Sequence, residues 1–100
     1  MIRHKYKAKT TELDGIKFPS KKEADRYLEL KLLQRAGEIV FFLRQTPLHL
    51  PGNVKYVCDF LIFWTNGTVT FEDVKGYRTP QYIQKKKIVE GTYPIKIEEV

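Results

Sequence analysis

Residues 55–64 read Lys-Tyr-Val-Cys-Asp-Phe-Leu-Ile-Phe-Trp, and no other stretch restricts the fold of this chain as strongly. The run is dense in aromatic and β-branched side chains, which suit a pleated surface covered by other elements. It falls far short of the roughly 20 apolar residues that a membrane span needs. It therefore reads as a buried strand. A single carboxylate, Asp59, interrupts it. A charge in such a strand is costly unless it is hydrogen-bonded, paired or bound to a cation.

The next segment decides what Asp59 meets. Thr65-Asn66-Gly67 turns the chain, and "TVTFEDVK" at 68–75 returns antiparallel. If Asn66-Gly67 is a two-residue loop, Thr65 pairs with Thr68, and Asp59 faces Val74 and shares a side with Glu72. If the loop has three residues, with Gly67 left-handed in a bulge, Trp64 pairs with Thr68 and Asp59 faces Asp73. Lys75 then falls one position along on the same face. The three-residue loop is favoured because it gathers Leu61, Phe63, Val69 and Phe71 as a packed face near the turn. Under it the charged residues collect at the far end, and Glu72 points away from them.

The remaining elements follow from local signals. "TTELDGIKF" at 10–18 alternates around Asp14-Gly15, a two-residue hairpin signal. Ser20 with Glu23 forms a capping-box pattern at the start of a helix, and Gly37 suits its end. Ala24, Tyr27, Leu28, Leu30, Leu32 and Leu33 give that helix a broad apolar face. Residues 38–43 and 44–50 read as extended, with Pro47 marking an edge or an interruption. Pro51-Gly52-Asn53 is a turn. A second, lysine-rich helix is expected over 81–91 and a last strand over 93–100. The expectation is one mixed α/β domain over 1–100, with a helix, three strands, a helix and a strand around a mixed central sheet, and an N-terminal β-hairpin.

The net charge is +6, and it is clustered. Arg3, Lys5 and Lys7 form a basic arm, Lys22 stands at the first helix, and Lys85 and Lys87 stand on the second. Such clusters suit the phosphate backbone of DNA. The basic N-terminus has no apolar segment behind it, so it does not read as a secretory signal. The lone Cys58 fits a reducing compartment. His4 and His49 lack zinc-site spacing.

Two carboxylates that nearly touch repel, and a hard cation that takes oxygen ligands and keeps its waters relieves this. A lysine beside them suits charge developing on a phosphate. Asp59, then Asp73-Val74-Lys75, with a helical Glu23 before both, resembles the PD-(D/E)XK nuclease superfamily. "DGIKFPSKKEADRYLELKLLQRAGEI", "CDF" and "EDVKG" followed by "TP" and a lysine-rich helix are similar to small phage and prophage endonucleases. The resemblance implies an αβββαβ nuclease core and a DNA endonuclease dependent on Mg²⁺ or Mn²⁺. Asp59, Asp73 and Glu23 would surround the metal and Lys75 would be the catalytic lysine, with Gln45 as a possible accessory to the phosphate or a bound water. Cys58 stands where the superfamily's name has proline. The small size points to branched or nicked duplex DNA rather than a base sequence, or to guidance by a phage protein partner. Cutting both strands takes two active sites, which suits a homodimer, and the lone cysteine suits the cytoplasm of a bacterial host. The rival readings are a nucleic-acid-binding scaffold without turnover and a basic adaptor for phage replication or packaging proteins.

Overall fold

The computed structural model describes residues 10–100, so Arg3, Lys5 and Lys7 lie outside the described residues. The described chain opens with the hairpin of β1 (Thr11–Leu13) and β2 (Ile16–Phe18). Leu13 pairs with Ile16, leaving Asp14 and Gly15 as a two-residue loop at φ 53° and 75°. Positive φ at both loop residues matches the right-handed twist of the flanking strands. Asp14 accepts a 2.8 Å bond from the Tyr27 hydroxyl, which fastens the hairpin to helix α1 (Lys21–Arg35).

Helix α1 starts where Ser20 Oγ accepts the Glu23 backbone N–H at 3.1 Å. Only this half of the capping box forms. The Glu23 carboxylate is buried among other partners. At the other end the Gly37 and Glu38 N–H groups donate back to the Gln34 and Leu33 carbonyls, with Gly37 at φ 84°. This closing pair of bonds satisfies carbonyls that the helix cannot, and the left-handed residue favours glycine.

The main sheet has the order β3 (Ile39–Leu50), β4 (Val54–Trp64), β5 (Val69–Asp73), β6 (Ile97–Glu99). The first three strands are antiparallel. Helix α2 (Pro80–Thr92) carries the chain over to β6, which lies parallel to β5. The expected element order, mixed sheet and N-terminal hairpin are all present. Strand β3 is one continuous edge strand rather than two extended pieces. Pro47 is accommodated inside it because an edge strand can lose a ladder donor. The departures from regular geometry fall earlier, at a register shift between Ile39 and Phe41 and at Gln45, which has φ 52°. Between β4 and β5, Phe63 pairs with Val69 and Phe60 with Glu72. Trp64 N–H donates to the Thr68 carbonyl, and Gly67 at φ 92° donates to the Trp64 carbonyl. The loop therefore has three residues.

Two apolar clusters hold the layers together. One joins Phe18, Ala24, Tyr27 and Leu30 to Ile39, Phe60 and Ile62 of the sheet. The other joins Val89 of α2 to Leu50, Tyr56, Cys58 and Ile97, with Phe71 packed against it. Simple alternation would put Tyr56, Cys58, Phe60 and Ile62 on one face. They divide between the two clusters after Cys58, so the strands exchange faces at Asp59 and, opposite it, at Gln45. Glu72 turns toward α1 and is forked by Arg26, with Nε to Oε1 at 2.9 Å and Nη2 to Oε2 at 2.7 Å. It stands away from Asp73 and pins α1 to the sheet.

Two expectations about packing are corrected. Phe71 is packed, but Val69 is 47 % exposed, and its neighbours Phe41 and Leu43 on the same face are 41 % and 45 % exposed. Helix α2 packs on the part of the sheet formed by Leu50, Tyr56, Cys58 and Ile97 and does not reach the β4–β5 turn, so Leu61 and Phe63 stay half-buried and Phe63 stacks on Phe41 with centroids 4.4 Å apart. On α1 the apolar face is narrower than its sequence suggests, since Leu28 and Leu32 are exposed. Among the described residues no helix is long and apolar enough to cross a membrane.

The packing gives a contrast that urea unfolding can read. Phe60 is fully buried, so Phe60→Ala is expected to lower stability by about 3–5 kcal/mol through lost transfer energy and a cavity. Phe41→Ala, on the uncovered patch, is expected to cost less than about 1 kcal/mol.

Candidate active site

Regular pairing between β4 and β5 ends at Phe60 and Glu72. Beyond that point side chains replace the backbone ladder. The Asp59 N–H donates to Asp73 Oδ1 at 2.9 Å, and the Val74 N–H donates to Asp59 Oδ2 at 3.0 Å. Each aspartate thus satisfies a backbone donor that the parting strands would leave unpaired. The other Asp59 oxygen, Oδ1, accepts from Gln45 Nε2 at 3.3 Å, and the same amide donates to Glu23 Oε2 at 3.2 Å. Left-handed backbone is uncommon for a residue such as glutamine, and it collects at functional positions. The structure therefore brings Glu23, Asp59 and Asp73 together from α1, β4 and β5. Gln45, expected only as an accessory, is the link between two of them.

The carboxylates are unevenly compensated. Glu23 is 3 % exposed and Asp73 1 % exposed. Burial pushes the Glu23 carboxyl above its ordinary range and the nearby Asp59 charge adds to this, while Arg44 and Lys75 pull it back. The Arg44 guanidinium lies 3.6 Å from Glu23 Oε2 and 4.5 Å above the Phe18 ring. Burial also raises Asp73, against the Asp59 N–H and Lys75, which lower it. Asp73 Oδ2 is buried with no hydrogen-bond partner. The Cys58 thiol is pushed up to about 11, first by burial, so it behaves as an inert core group.

The Lys75 ammonium lies over the Tyr82 ring, 4.4 Å from its centroid. Tyr82 in turn donates its hydroxyl to Glu99 Oε2 at 3.0 Å. Sequence reasoning missed Arg44, Tyr82 and Glu99. Arg44 carried a usable signal, as a charge beside Gln45 on the strand opposite Asp59. Tyr82 and Glu99 carried none, because their link to Lys75 exists only once α2 and β6 dock. Of the basic residues, Lys85 and Lys87 are exposed on α2. Lys86 between them turns to Glu99 at 3.3 Å. Lys22 donates to the Lys75 carbonyl at 2.9 Å, so its ammonium braces the site.

Among the described residues no three His, Cys, Asp or Glu side chains are arranged to hold one metal ion. Glu23 is separated from Asp59 by the Gln45 amide. Asp59 and Asp73 are nevertheless joined through the Asp59 N–H, and one Asp73 oxygen is buried and unpartnered. Mg²⁺ is commonly bound by one or two carboxylates with waters filling the other positions. The pair of aspartates fits that pattern.

The chain belongs to DUF1064, a family of proteins of unknown function. The match covers residues 3–98. No curated protein and no solved structure matches the chain.

The buried Asp73 makes a prediction about metal-free stability. Its folded carboxyl titrates above the ordinary value of about 4, so ionisation in the folded state is disfavoured. Such a group destabilises the fold at neutral pH, and the penalty fades as pH falls from the raised value toward the ordinary one. In EDTA, the melting temperature of the wild type is expected to gain on that of Asp73→Asn as pH drops from 7 to 4.5. A constant difference between the two across that range would show that Asp73 is not held in this state.

Proposed function

We propose that the chain is a divalent-metal-dependent DNA endonuclease of the PD-(D/E)XK type. One observation carries the reading: where β4 and β5 part, Asp59 and Asp73 exchange backbone hydrogen bonds, and a buried Asp73 oxygen is left without a partner beside Lys75. A structural ion pair would consume that oxygen. A metal site would keep it.

In this reading Asp59 and Asp73 hold Mg²⁺ or Mn²⁺, which when bound supplies positive charge for the phosphate and an acidified water. Gln45 keeps Glu23 and Asp59 in register. Glu23, whose carboxyl is raised by burial, completes the site directly or through a water. Lys75 brings a fixed positive charge to the phosphate and helps orient the attacking water. Lys85, Lys87 and the basic arm of Arg3, Lys5 and Lys7 bind the backbone, and the net charge of +6 supports DNA as the substrate. The substrate proposed is a branched or nicked duplex. Cutting both strands takes two such sites, and a homodimer or a phage protein partner remains part of the proposal.

The test is cleavage of labelled linear, flap and four-way-junction DNA in Mg²⁺, Mn²⁺ or EDTA. Metal-dependent cutting is expected to fall by about 100-fold or more in Asp59→Asn, Asp73→Asn and Lys75→Met, the scale of losing a group that acts on transition-state charge. Binding of all three substrates with no cutting in either metal would overturn the nuclease reading in favour of a binding scaffold.

A further inference from the structure

Asp73 and Lys75 stand two residues apart beyond the end of the β4–β5 ladder, and Lys75 is close enough for its charge to bear on both Asp73 and Glu23. A lysine so near a buried carboxylate with an unpartnered oxygen would be expected to close on it as an ion pair. Among the described residues it takes no part in any ion pair. Its ammonium instead sits 4.4 Å from the centre of the Tyr82 ring, where the negative face of an aromatic system attracts a cation.

The ring is fixed from its far side. Tyr82 lies in the first turn of α2, and its backbone N–H donates to Thr79 Oγ1 at 3.1 Å. Its hydroxyl donates to Glu99 Oε2 at 3.0 Å. That glutamate is held in turn by Lys86 Nζ and Arg78 Nε, both at 3.3 Å. Glu99 lies on β6 directly beside Asp73 on β5. The last strand and the second helix therefore place an aromatic face next to the site and lock it there.

We propose that Tyr82 is a positioning residue that holds the Lys75 ammonium off the Asp73 carboxylate, leaving that carboxylate free for a divalent cation. The proposal rests on the metal-dependent reading above. An ammonium and a divalent cation compete for the same oxygen, and the ring removes the competitor without removing its charge from the neighbourhood. The lysine stays within reach of a phosphate while the carboxylate keeps a free oxygen.

The experiment is Mn²⁺ binding by isothermal titration calorimetry on the full chain without DNA. The proteins compared are wild type, Tyr82→Phe, Tyr82→Leu, Lys75→Met and the double variant Tyr82→Leu/Lys75→Met. Tyr82→Leu is expected to weaken Mn²⁺ binding about fivefold, the order set by a cation–π contact. Tyr82→Phe keeps the ring and is expected to stay within about twofold of wild type on the same ground. The double variant is expected to bind as Lys75→Met does, because with no ammonium there is nothing for the ring to hold away. If Tyr82→Leu weakens binding equally with or without Lys75, or not at all, the proposal is overturned. A wild type that binds no Mn²⁺ at all would overturn the metal site itself, a result distinguishable from either of these. Circular dichroism on each variant separates loss of the fold from loss of the effect.

Discussion

The arrangement depends on two aspartates that each accept a backbone N–H from the other's neighbourhood. Asp73 takes the Asp59 N–H, and Asp59 takes the Val74 N–H. Had β4 and β5 continued as a regular ladder, those N–H groups would have gone to carbonyls, and the carboxylates would be buried with no donors. Had the strands parted without the aspartates, the donors would be orphaned at a cost comparable to lost hydrogen bonds. The exchange solves both problems together. It also lets the strands change faces, so that the cluster around Phe60 packs under α1 while the cluster around Cys58 packs under α2.

The face change explains which parts of the structure were legible in the sequence. Asp14-Gly15, Ser20 and Gly37 act locally, through backbone conformations and caps that neighbouring residues dictate, and they form as expected. The three-residue loop at Thr65-Asn66-Gly67 was also legible, because glycine supplies the left-handed residue and one register sets Asp59 opposite Asp73. Alternation along β4 then misled. It makes Leu61, Phe63 and Val69 a closed core, but α2 docks at the other end of that face and leaves them partly open. Nothing in a strand's own sequence states how far a later helix will reach across it.

The same limit applies to the site. The nearness of Asp59, Asp73 and Lys75 was legible from the register, whereas Glu23 was joined to them only by the resemblance. The capping box was an alternative explanation for Glu23, and it turned out to use only the backbone of that residue. Ser20 accepts the Glu23 N–H while the carboxylate goes inward to Gln45 and Arg44. The two uses were never exclusive, since a cap can be served by the backbone of a residue whose side chain has other work. Gln45 was underestimated because its left-handed backbone, which aims the amide, cannot be read from a glutamine in a strand.

Glu72 and Asp73 carry the clearest contrast between a charge that is fully paired and one that is not. They are adjacent acids on one strand, both buried, and they face opposite layers. Glu72 receives a two-point fork from Arg26, which satisfies both of its oxygens and ties α1 to the sheet. Asp73 has a cation within easy reach, yet that cation rests on an aromatic ring, and one carboxylate oxygen keeps no partner. A chain under pressure only for stability would complete the second pair as it completed the first, because a buried unpaired oxygen is among the costlier groups to retain. The asymmetry between neighbours therefore argues for a ligand at Asp73. The oxygen is hard and anionic, and the ligand proposed for it is a small divalent cation.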